Sequence, residues 1–202
     1  LKSFRILKRI KEIKPKPIIK LLFLLKFFFS SMMAFYIATI SLFLIDLFSF
    51  DVQHLGYFMF AGGLFLAINQ AFVAQKFIKI MGEYRTLILG LALSTLGLVC
   101  LTITESIIPF VAFYYILNLG LSLSFPTFNA LISIHANPKK QGEIMGVSES
   151  INSFAMAIFP LLSAGLYGLI GFELYYLISL MPFSALMIAL FTFKKIGKST
   201  YE

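Results

Sequence analysis

Apolar residues run along the chain in six long stretches separated by short polar clusters, at roughly 18–45, 55–75, 86–103, 107–134, 144–170 and 174–193. A helix rises about 1.5 Å per residue, so a bilayer core of ~30 Å is crossed by about 20 apolar residues. The runs are too long and too evenly apolar for the alternating ten-residue strands of a membrane barrel. A helix also satisfies its own backbone hydrogen bonds in hydrocarbon. The pattern predicts an all-α membrane protein, with six transmembrane helices over 18–195, a basic linker at 1–17 and a tail at 196–202.

The polar clusters suit loops. Asp46–His54 carries two aspartates, Lys76–Arg85 is basic, and Thr104-Glu105-Ser106 offers Ser106 as a cap for the next helix. Asn137-Pro138-Lys139-Lys140-Gln141-Gly142 is a turn cluster, and Gly171-Phe172-Glu173 is the last break.

Composition removes the soluble alternative. Hydrophobic residues make up 59% of the chain, charged residues 13%, and the mean hydropathy is +0.92. A soluble domain carries about a quarter charged residues, and a core of this size cannot hide so much apolar surface.

Charge placement then sets an orientation. All 17 Lys and Arg lie ahead of the first span or within its opening turns, in 76–85, in 139–140 or in 194–198. The alternate loops hold Asp46, Asp51, Glu105 and Glu173 instead. The positive-inside rule therefore predicts a multi-pass protein of the plasma (bacterial inner) membrane with both termini cytoplasmic. The net charge of +8 is a topology signal, and no nucleic-acid partner is needed to explain it. The basic residues Lys2, Arg5, Lys8, Arg9, Lys11, Lys14, Lys16 and Lys20 are a cytoplasmic linker or touch anionic lipid headgroups, at about 1 kcal/mol each.

Candidate chemistry is sparse. The first apolar run is too long for a signal peptide and lacks a cleavage site. Cys100 is alone, which leaves no disulfide framework and no cysteine metal site, and His54 and His135 fall at span ends. There is no P-loop, no H-E-x-x-H, no G-x-S-x-G and no pair of intramembrane aspartates. Neither an enzyme, a metal nor a cofactor is expected.

Polar residues inside spans are the remaining signal, because they are costly in lipid and face protein or water. In the fourth span Asn118, Ser122, Pro126, Asn129 and Ser133 fall within an arc of about 80°. In the fifth, Glu149, Asn152, Ser153, Met156, Pro160 and Ser163 fall within roughly 100°. Such stripes either line a hydrated path or bond neighbouring helices together. Glu149, two turns inside its span, is a proton-coupling or cation-binding carboxylate, or else it snorkels or pairs with a basic residue such as Lys140. Asn69 and Gln70 interrupt the second span, where they line a substrate cavity or pack on a neighbour. Gly142, Gly146 and Ser150 form a small-xxx-small run that permits close helix approach. Pro126 and Pro160 permit kinks.

Several of these residues form a known pattern. Gln141-Gly142-Glu143-Ile144-Met145-Gly146, with Ser150, Phe154 and Phe159-Pro160, resembles the eleventh-helix signature of major facilitator superfamily transporters, best known in tetracycline-type and other drug/proton antiporters. Gly120, Pro126, Asn129 to Ser133 and Pro138 resemble the tenth helix and its exit. The run from Lys76 through Lys79 and Gly82 to Arg85 is similar to the basic loop between the eighth and ninth helices. Phe154 and Phe159 depart from the signature's Leu and Gly, and the third span lacks the acid of one tetracycline-exporter type.

The resemblance implies one half of a twelve-helix transporter, built as two inverted three-helix repeats, with the first, second, fourth and fifth spans lining the cavity. It implies alternating-access transport of a small-molecule substrate, with proton-coupled efflux of an amphiphile as the leading expectation. The expected partners are membrane lipid and a separate N-terminal six-helix half, or a second copy of the chain. A noncatalytic membrane scaffold, a truncated remnant or a carrier of two six-helix copies is the alternative.

Overall fold

The computed structural model describes residues 15–104 and 106–199. The basic residues from Lys2 to Lys14, Glu105 and the end of the predicted tail lie outside the described residues. The elements are α1 Pro17–Phe48, α2 Val52–Ile68, a π-turn Asn69–Val73, α3 Ala74–Thr102, α4 Ile107–His135, a 3-10 turn Pro138–Lys140, α5 Gln141–Ile170, a 3-10 turn Gly171–Glu173 and α6 Leu174–Ser199.

Four continuous helical stretches are long and apolar enough to cross a membrane: Pro17–Phe48, Val52–Thr102, Ile107–His135 and Pro138–Phe193. Six separate spans were expected, and two of the expected loops prove to be helical. Lys76–Arg85 lies within α3, where the helical backbone is left at Gly82 alone (φ 78°, ψ 167°). Gly171–Glu173 is a tight helical turn that starts from Gly171 at φ 59°. The physical reason is economy of hydrogen bonding: a reversal made in one or two residues leaves few backbone groups to be satisfied near lipid.

Contacts fix the directions. Lys26 meets Glu149 and Asp46 meets Tyr167, so α1 and α5 run parallel. Gly97 lies against Leu117, Gly120 against Ser94, and Tyr84 against His135, so α3 from Tyr84 onward is antiparallel to α4. In α2, Phe58 packs on Phe110 and Tyr114 and Phe65 on Tyr115, which makes α2 parallel to α4. The stretch Val52–Thr102 therefore doubles back on itself at Gly82. Tyr175 packs on Phe43 near the end of α1 while Phe193 reaches Tyr84, so α6 is antiparallel to α1. One end of the bundle then collects Lys16, Lys20, Lys76, Lys79, Arg85, Lys139 and Lys140. The opposite end holds Asp46, Asp51 and Glu173.

The closest packing is between α3 and α4. A Cβ on Gly97 would stand 2.7 Å from the Leu117 Cα, and one on Gly120 would stand 2.5 Å from the Ser94 nitrogen. Only glycine lets the two backbones approach so far. The run Gly142-x-x-x-Gly146-x-x-x-Ser150 was the expected place for such an approach, and the structure differs. Nothing lies within 4 Å of a Cβ on Gly142 or Gly146. The reason is facing: α5 turns Ser148, Ile151 and Ala155 inward, which leaves the glycine side outward. Pro126 and Pro160 sit within α4 and α5, which continue through them. Ser106 occupies the N-cap of α4 without a side-chain capping bond.

Candidate functional site

The site grows from one misfit residue. Lys26 lies nine residues into α1, about 13 Å along its axis, among Leu22, Leu25 and Phe29. Its side chain is 1% exposed. A buried ammonium is tolerated only when its three N–H groups and its charge are answered. Here they are. Lys26 Nζ donates to Asn129 Oδ1 at 3.0 Å, to Ser148 Oγ at 2.7 Å and to Glu149 Oε1 at 2.8 Å. The Phe125 ring lies 5.9 Å from the same nitrogen, within cation–π range.

Three helices build this cluster. α1 supplies the cation, α5 the carboxylate and the serine from consecutive positions, and α4 the amide together with the ring one turn before it. Glu149 is the open member, with its side chain 50% exposed. Three residues further along α5, Asn152 Oδ1 is buried and accepts no hydrogen bond. The pair can therefore separate from the Glu149 side, whereas Lys26 has nowhere to go.

Of the expected partners for Glu149, Lys140 is not the one: it is exposed at the start of α5, and Lys26 takes its place. In the sequence Lys26 falls with the basic residues in the opening turns of the first span. The available signal was a lone lysine deep in an apolar run, which is a functional-site hypothesis by default. Ser148 carries no such signal, since a single serine in a span has no distinguishing pattern.

The other sequence candidates separate into groups. Asn118 Nδ2 bonds the Tyr114 carbonyl, Ser122 Oγ that of Leu119 and Asn69 Nδ2 that of Phe65, each within its own helix. Asn69 and Gln70 fall in the π-turn, an irregularity frequent at functional sites. Gly62, on the face of Asn69, is buried beneath Tyr114. Ser153 is exposed, and Ser163 bonds the Pro160 carbonyl. Ser133 accepts from Gln141 across the α4–α5 connection. Of the α4 stripe, Asn129 alone reaches the Lys26 cluster.

A buried ammonium paired with a carboxylate between helices this apolar marks a functional site by default. The sequence profile of the Major Facilitator Superfamily matches residues 22–200. The chain belongs to the Major Facilitator Superfamily. Comparison with curated proteins finds no match. Among solved structures, the crystal structure of the human organic anion transporter MFSD10 (TETRAN) is similar, with a TM-score of 0.78 at 19% identity. The match covers 85% of this chain and 40% of that one. The chain thus spans well under two thirds of the transporter that it matches, and the likeness extends to the fold. Within the superfamily, the residues that carried the eleventh-helix resemblance lie on α5, the helix that supplies Ser148 and Glu149.

Proposed function

We propose that this chain forms half of a secondary transporter that moves a small amphiphilic molecule by alternating access, coupled to protons through Glu149. The observation that carries the reading is the Lys26–Glu149 pair, because an intramembrane carboxylate with a buried counter-ion is where a proton changes a helix–helix contact. Its members sit on α1, α4 and α5, three of the four helices that the family resemblance gives to the cavity wall. The organic anion named for the similar human transporter is compatible with a cationic group at that wall.

Six membrane crossings belong to the same proposal. The stretch Val52–Thr102 has 51 residues, or about 75 Å as a straight helix, more than twice a bilayer core. Its reversal at Gly82, and the turn at Gly171 within Pro138–Phe193, support reading each of these stretches as two crossings. The basic residues gathered at one end support a cytoplasmic position for that end, in a bacterial inner membrane.

The remaining half of the transporter would pack on the sides left open here. On α2 these are Tyr57, Phe60 and Leu64, with Phe72 in the π-turn that follows, and on α5 the glycine side of Gly142 and Gly146. Proteoliposomes containing a trapped pH dye, challenged with amphiphilic solutes under an imposed pH gradient, test the reading. Flux is expected when this chain is joined to a matching N-terminal half and absent from either alone. Gradient-driven flux from this chain by itself would remove the half-transporter idea. Exchange of substrate for protons is what the antiporter resemblance implies.

A further inference from the structure

We infer that Lys76, Lys79 and Ile80 form a docking surface for the headgroup of an anionic phospholipid, turned outward by the π-turn at Asn69–Val73. The inference rests on the proposed crossing of the bilayer by Val52–Met81 and adds a partner that the transporter reading does not call for.

Helical register carries the first part of the argument. Ahead of the π-turn the inward face of α2 runs through Gly62 and Asn69, both buried and two turns apart. A helical face repeats every three or four residues, so an unbroken α2 would continue this one through Phe72, Val73, Lys76, Lys79 and Ile80. It does not. The Ala74 N–H donates to the Asn69 carbonyl, five positions back, and the inward face resumes one residue late at Ala74, which is fully buried. Phe77, Ile78 and Met81 follow it half-buried, whereas Lys76 and Lys79 are exposed and Ile80 is 71% exposed. One extra residue has carried two lysines from the inside of the bundle to its outside. Burying two ammonium groups without counter-ions would be costly, and π-turns are frequent at functional sites.

Depth carries the second part. From Val52 to Met81 there are about 30 residues, or ~45 Å of helix, which matches the ~40–45 Å of a bilayer with its headgroups. Lys76 stands about 36 Å from Val52, with Lys79 and Ile80 one turn further, so all three fall in the headgroup layer at the basic end of the bundle. Side chains three and four positions apart are neighbours on a helix. The two ammonium groups and the Ile80 side chain therefore share one face, with cations for phosphate oxygens and an apolar group for the acyl boundary.

Charge carries the third. Glu83 is the only acid between Val52 and Thr102, and it follows the reversal at Gly82. Among the described residues no acid lies within 4 Å of either lysine. A lipid phosphate supplies the anion that the protein does not.

The test uses the full chain in neutral detergent micelles, titrated with phosphatidylglycerol or with phosphatidylcholine, with bound lipids per chain counted by native mass spectrometry. Phosphatidylglycerol is expected to bind about tenfold more tightly, with the preference falling as salt is raised. Lys76→Gln with Lys79→Gln should remove most of that preference. Lys139→Gln with Lys140→Gln, which deletes the same charge from the Pro138–Lys140 turn, should keep it. Gln75→Lys with Lys76→Gln keeps the net charge but turns one ammonium by about 100° around the helix, and should weaken the lipid as much as Lys76→Gln alone. All five positions are exposed, so the variants are expected to melt with the parent.

Equal binding of the two lipids, or a preference that survives in Lys76→Gln with Lys79→Gln, overturns the inference; the first result would leave the lysines to an acidic protein partner. A preference that falls equally with the Lys139 and Lys140 changes, or that ignores the Gln75 and Lys76 exchange, reduces the effect to bulk charge and overturns it too. The crossing is scored separately, by labelling a single cysteine at position 79 from each side of the membrane. Labelling from both sides defeats the crossing and leaves the micelle result standing. One-sided labelling without a lipid preference defeats the inference alone.

Discussion

Lys26 and Glu149 are unequal partners, and the inequality is testable. Removing Glu149 strands a side chain that is 1% exposed, whereas removing Lys26 leaves a carboxylate that is 50% exposed. Breaking a buried pair costs roughly 3–5 kcal/mol, and half-exposure of one member places Glu149→Ala near the lower end, at about 3 kcal/mol. Lys26→Met leaves a carboxylate that water reaches, and should cost about 1 kcal/mol or less. Thermal denaturation of both variants in one detergent checks the order; equal losses would mean that the ammonium is already hydrated. Glu149 was legible from the sequence because an acid in an apolar run stands out. Its partner was not, because the acceptors of Lys26 lie 103 to 123 residues away and local pattern carries no such information.

Two glycines of the same chemical kind should respond in opposite ways. Gly120→Val drives methyl groups into the Ser94 backbone and should destabilise by roughly 1–3 kcal/mol. Gly146→Ala meets open space and gains up to about 1 kcal/mol of helix propensity in the isolated chain. Melting temperatures of the two variants read this directly.

The start of α2 carries a pH dependence. Asp51 caps it by accepting from the His54 N–H at 2.8 Å, with the His54 ring nitrogen also 2.8 Å from the same oxygen. The backbone bond first and the ring second hold the Asp51 carboxyl below its ordinary value. A lowered folded value means that the cap's contribution is fully present above the unfolded value, near 4, and is lost as pH falls through the folded one. Protection factors of the amides at Val52–His54, corrected for the intrinsic exchange rate, should therefore fall on acidification below about pH 4, and not in Asp51→Asn. Apolar periods announced the helices well, but they did not show that 76–81 stays helical. A basic, turn-rich composition is equally satisfied by a helix end at a membrane surface.

At the scale of the whole molecule, the two ends of the bundle differ in charge, and that difference predicts labelling. Single cysteines at Lys79 or Lys139, with Cys100 replaced, should react with an impermeant maleimide only from the cytoplasmic face. Cysteines at Ser49 or Gln53 should react only from the other side. Mixed accessibility at any one position would overturn the proposed six crossings. Helical character, a place in a membrane and the polar residues that merit attention are all legible in the sequence. Those properties follow from run length, apolar period and the cost of charge in hydrocarbon, all of which are local. Only the tertiary structure decided that Gly82 folds one helical stretch back on itself, that Gly97 and Gly120, and not Gly146, carry the close approach, and that Lys26 answers Glu149. Each of these depends on which face of one helix meets which face of another, and a span that is apolar all round does not encode its own facing.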